Sequence, residues 1–190
     1  MFHLRDVYQF LFEVILSASL YVGFFYLNQW IMVSIEDAKG VNWIFLPAGI
    51  RIFVTLIFDY SGAIGLTFAS VLINSVGFYE TDFTSILGIA IICGLAPLLG
   101  KYFVLKNLRI HPDLSNISFK QLLGSIVVYS LMSSGFHQIW FATRRLDSGS
   151  WSHFIAMFCG DVTGSILLVI ATKIVIDFVK SHMGRENLIE

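Results

Sequence analysis

The chain has 190 residues, 56% of them hydrophobic and 13% charged, with a formal net charge of −1 and a mean hydropathy of +0.77. Soluble domains carry about 25% charged residues, and one aqueous core cannot hide this much apolar surface, so the composition implies an integral membrane protein. With neither a basic field nor a basic patch interleaved with aromatics, nucleic-acid binding is excluded.

A membrane-crossing helix needs about 20 mostly apolar residues. Six segments approach that length: Tyr8–Val33, Trp43–Phe58, Tyr60–Tyr79, Ile86–Leu105, Leu122–Ala142 and Phe154–Ile176. The first exceeds an ordinary signal-peptide core and lacks a small-residue cleavage site, so it reads as a retained helix. The second is short, and "FDYSG" must turn it at once, which leaves a tilted hairpin or a re-entrant segment open and the total at six or five. The connections "SIEDAKGVN", "ETDFTS", "KNLRIHPDLSNIS" and "TRRLDSGSW" are short. The expected fold is therefore an all-α polytopic transmembrane bundle of about six helices. Residues 1–180 form one membrane domain and residues 181–190 a short cytoplasmic tail.

Six spans put Arg5, Lys101, Lys106, Arg109, Lys120, Lys173, Lys180 and Arg185 on one side and Lys39, Arg144 and Arg145 on the other. The positive-inside rule then places both termini in the cytoplasm, and the "NIS" sequon at Asn116 falls on that same side. The Arg144–Arg145 pair runs against this orientation without reversing it.

Polar groups inside the spans are the functional candidates. Helical rise puts Arg51 roughly 12 Å, and Asp161 roughly 10 to 15 Å, below the outer face. Isolated charges at that depth pair or face water, so an Arg51–Asp161 ion pair is expected. Asn28, Asn74 and His137 lie in the same outer half, and the five residues together could line an outward-facing pocket. Each also has a plainer reading. The ion pair can staple segment two to segment six, the asparagines can join helices, and His137 can be structural. Toward the inner side, Glu13 and Lys101 are expected to reach the interface by snorkelling.

"GLAPLLG" and "GDVTGS" space glycines for close helix approach, while Pro47 and Pro97 interrupt spans. Cys93 and Cys159 sit in apolar runs without disulfide or metal spacing. An HExxH pair, a GxSxG elbow and a P-loop are all missing from the chain, so neither an enzyme nor a cofactor is expected.

The stretch "NWIFLPAGIRIFVTLIFDYSGAIGLTFASVLIN" resembles the opening block of the bacterial membrane-associated sensor (MASE, first type) domains. "FIAMFCGDVTGSILLVIATKI" is similar to that family's final block, and "ISFKQLLGSIVVYSLMSSGFHQIW" to the helix before it. Pro47, Gly49, Gly160 and Asp161 fall on the family's motif positions. The resemblance implies a non-enzymatic sensor-like module in a bacterial inner membrane, signalling through a partner membrane or signalling protein and binding a small-molecule ligand. The chain has fewer spans than that family usually has, and no output domain is read after them. A small-solute transport protein and a scaffolding subunit of a membrane complex stand as alternatives.

Overall fold

Backbone groups out of contact with water must satisfy one another, and a long apolar run does so as a helix. The computed structural model of the protein describes residues 4–32, 34, 36–76, 82–111 and 117–186. They form α1 (Leu4–Met32), β1 (Glu36–Ala38), β2 (Val41–Asn42), α2 (Pro47–Phe58), α3 (Tyr60–Ser75), α4 (Phe83–Asn107), α5 (Phe119–Arg144) and α6 (Trp151–Glu186). Asn116 and residues 187–190 lie outside the described residues.

Local chemistry sets the helix ends. Asp82 caps α4, its Oδ2 accepting from the Thr84 and Ser85 amides at 3.1 and 3.3 Å. Ser118 and Gln121 exchange hydrogen bonds in a capping box at the start of α5, which ends where Arg145 turns left-handed at φ 55°. The Ser150 hydroxyl accepts from the His153 amide at the start of α6.

The helices α1, α4 and α6 are each long and apolar enough to cross a membrane. Helix α5 has comparable length, 26 residues, but it is diluted by the serines, His137 and Gln138 that it buries. Segment two takes the shorter form that its sequence left open. Helix α2 has 12 residues, about 18 Å against a hydrocarbon core of about 30 Å. Residues 43–46 ahead of it are non-helical, because Pro47 supplies no amide to extend the helix backward. Helix α6 continues through most of the residues read as a tail, to Glu186.

Helices α1 and α3, α3 and α4, α4 and α5, and α5 and α6 pack in succession, and α2 packs against all five. The short helix is thus the hub. Gly62 lets α3 fold back on α2, since a Cβ there would sit 2.3 Å from the Val54 carbonyl oxygen. The reversal occurs at Asp59, whose φ of 55° and ψ of −120° are strained for a side-chain-bearing residue. Residues 36–42 of the first connection fold into a β1–β2 hairpin, turning through Gly40 at φ 79°. Val41 anchors it against Ala156 and Met157 of α6.

The bundle has two ends. The hairpin, the α4 N-terminus, the α5 C-terminus and the α6 N-terminus share one, where Arg144 of α5 grips Asp82 at 2.8 and 2.9 Å. At the other, Lys101 of α4 pairs with Asp59 at 3.0 Å, and Glu13 of α1 accepts from the Ser61 hydroxyl. Lys101 is buried in that pair instead of snorkelling, because the strained α2–α3 turn delivers a carboxylate to it. Every helix exposes large apolar side chains, while serines, asparagines and the Arg51–Asp161 pair are buried inside. That inversion suits lipid and not water.

Candidate functional site

Residues 43–46 and the first turn of α2 carry the site. A helix that starts inside the bundle has four amides to satisfy. Pro47 has none, the Ala48 and Gly49 amides turn back to the Phe45 and Leu46 carbonyls at 3.0 and 3.1 Å, and the Leu46 amide donates to Asn28 Oδ1 at 2.9 Å. Phe45 donates to the Gly160 carbonyl of α6 at 3.0 Å, and the Thr163 hydroxyl donates to the Trp43 carbonyl at 2.9 Å.

This contact gives the α6 glycines a different role from the one their spacing suggests. A Cβ on Gly160 would lie 1.8 Å from the Asn42 carbonyl oxygen, and one on Gly164 2.1 Å from that of Phe45. These glycines admit non-helical backbone in place of another helix. Gly49 does meet a helix, with Leu168 and Ser165 of α6 against it, as does Gly94 against Ala63.

One turn into α2, Arg51 Nη2 donates to Asp161 Oδ1 at 2.9 Å and Nη1 to the Ser133 hydroxyl at 2.8 Å. The guanidinium carbon lies 5.3 Å from the Phe45 ring centroid, a cation–π arrangement. Arg51 and Asp161 are 3% and 1% exposed, so the pair is fully withdrawn from solvent. Ser133 and Phe45 complete it, and neither stood out in the sequence.

Above the pair, toward the hairpin, is a cavity of about 40 Å3 lined by Arg51, Asn74, His137, Ser70, Tyr21 and Cys93 and roofed in part by Gly40, Phe45 and Phe141. It has room for about three waters. His137 Nδ1 faces the Ser133 carbonyl at 2.8 Å. Asn74 Nδ2 donates to the Ser70 carbonyl at 2.6 Å, and its Oδ1 has no protein partner among the described residues. The cavity wall therefore offers a guanidinium edge, an amide oxygen and an imidazole.

Three of the five expected pocket residues, Arg51, Asn74 and His137, meet here. Asn28 does not line the cavity, because its carbonyl oxygen is committed to the start of α2. Asp161 lies behind Arg51 and faces a second cavity of about 10 Å3 between α2, α4, α5 and α6. The larger cavity is not the open pocket expected. Its helical side chains are buried, and the hairpin lies over it, held to α6 by His153 and Asp37 at 3.8 Å and to the α5–α6 connection by the Ser148 hydroxyl, which donates to the Lys39 carbonyl at 3.0 Å. Among the described residues no group of three His, Cys, Asp or Glu side chains is placed to hold a metal ion.

Comparison of the chain with protein-family models, curated proteins and solved structures finds no match.

Proposed function

We propose that the protein is a non-enzymatic, multi-pass sensor-like module of a bacterial inner membrane, with the hairpin end outward and both termini in the cytoplasm. The observation that carries this reading is the polar cavity beneath the hairpin, built on a short helix that touches every other helix. A small polar ligand entering there displaces the hairpin, and α2 relays the displacement to α6. Helix α6 is exposed along residues 171–182, including Ile174, Phe178 and Val179, which offers a partner protein a surface for the response. The resemblance to membrane-associated sensor domains supports the reading, and its opening and final blocks pack on each other through Gly49 and Leu168. The excess of Lys and Arg at the end opposite the hairpin supports the orientation.

The test is coupling between the two ends. Spin labels at Lys120→Cys and Lys180→Cys, with Cys93 and Cys159 replaced by alanine, report the α5–α6 distance in lipid nanodiscs. Asn74→Asp and His137→Gln perturb the cavity and are expected to shift that distance distribution. An unchanged distribution with both would sink the sensor reading.

Non-helical backbone at depth, as in residues 43–46, also occurs at transporter binding sites, and it favours small-solute transport as the second reading. Proteoliposomes that shrink and swell in chloride and nitrate like protein-free vesicles count against transport of small inorganic anions.

A further inference from the structure

The second cavity is small, buried and lined by groups that lack partners. Asp161, Ser130 and Ser165 line it, and Asp161 Oδ2, Ser130 Oγ and Ser165 Oγ have no hydrogen-bond partner among the described residues. The three residues are 1%, 2% and 1% exposed. Buried polar atoms are seldom left unpaired, and here three such residues from α5 and α6 line one space. Its volume of about 10 Å3 is close to the least that holds one water.

The geometry points to a single internal water bound between Asp161, Ser130 and Ser165, as the partner of Asp161 Oδ2. A water has two hydrogens to give and two lone pairs to fill. Asp161 Oδ2 can only accept, whereas each hydroxyl can give or accept. One water donating to Asp161 and to one serine hydroxyl while accepting from the other gives each of the three groups a partner. A sodium ion would meet the same oxygens, but Arg51 already neutralises Asp161, so the ion would leave a net positive charge buried. The neutral occupant is favoured. Arg51 lines both cavities, so its side chain divides this water from the larger cavity above.

This inference is independent of the sensor reading, and its test does not use the hairpin. Removing a dry, unpaired hydroxyl leaves stability unchanged or raises it, whereas removing one that holds a water lowers it. The thermal unfolding temperatures of Ser130→Ala and Ser165→Ala in lipid nanodiscs are expected to fall by about 2–4 °C each. The Ser130→Ala/Ser165→Ala pair is expected to fall by less than the sum, because both hydroxyls share one water. Single variants that match or exceed the parent overturn the proposal, as does a higher unfolding temperature in sodium than in choline. A density map resolving ordered water should show one peak within about 3.2 Å of Asp161 Oδ2, and an empty cavity in such a map overturns the proposal.

Discussion

Arg51 gives one nitrogen to Asp161 and another to Ser133, so removing either charge strands the other in the bundle. Breaking a buried pair costs about 3–5 kcal/mol, whereas replacing both partners by apolar residues of similar volume is often neutral. Arg51→Gln and Asp161→Asn are accordingly expected to unfold well below the parent. Arg51→Met/Asp161→Leu should lose much less, as read by thermal unfolding in nanodiscs. Asp82, at the hairpin end, behaves differently. Hydrogen bonds from Ser85 and then Arg144 hold its carboxyl well below the ordinary aspartate value of 3.8. A depressed folded-state pKa gives stability that is complete above that ordinary value and is lost as pH falls below it. Arg144→Ala should therefore be less stable than the parent at neutral pH, with the gap narrowing below about pH 4 in a pH series of unfolding midpoints. The Arg51–Asp161 pair was legible in the sequence, since two isolated opposite charges at matching depth have few other solutions. Ser133 was not, because depth does not reveal which way a residue faces round its helix.

Helix α2 is held at three levels: by Asn28 at its start, by Asp161 in its first half and by the Asp59–Lys101 pair at its end. Its fit to α6 depends on absent side chains. Gly160→Ala and Gly164→Ala push a methyl group into the carbonyls of Asn42 and Phe45. Both are expected to abolish a monodisperse peak in detergent size-exclusion chromatography. Gly23→Ala and Gly135→Ala, where nothing lies within 4 Å, should leave it intact. Helix existence was readable from apolar run length for every helix, although α2 begins at Pro47 and not at Trp43. The β1–β2 hairpin was not readable, because its few residues are held by contacts distant in sequence, such as Val41 meeting Ala156 and Met157. Gly160 looked like a helix-packing glycine because sequence shows that space is kept and not what fills it.

Across the whole molecule, the start of α1 at Leu4 and the end of α6 at Glu186 fall at the end opposite the hairpin. A membrane-impermeant maleimide is expected to label Lys39→Cys on intact cells and Lys180→Cys only after permeabilisation, in a background with the native cysteines replaced. Labelling of Lys180→Cys on intact cells would reverse the orientation. The alternation of segments made this arrangement legible, but not that α2 occupies the middle of the bundle. That position bears on how the protein is made. Arg51 leaves the ribosome 110 residues ahead of Asp161, and an unpaired arginine at mid-bilayer costs about 2.5–3.5 kcal/mol during insertion. The Gly160 carbonyl that receives the Phe45 amide is equally late. Residues 43–58 therefore have to wait, outside the lipid or sheltered by the insertion machinery, until α6 emerges. Chains truncated after Ser150 should leave this stretch open to protease in membranes where the full chain protects it. Helix α6, made after α2, is the one that lets α2 take its place.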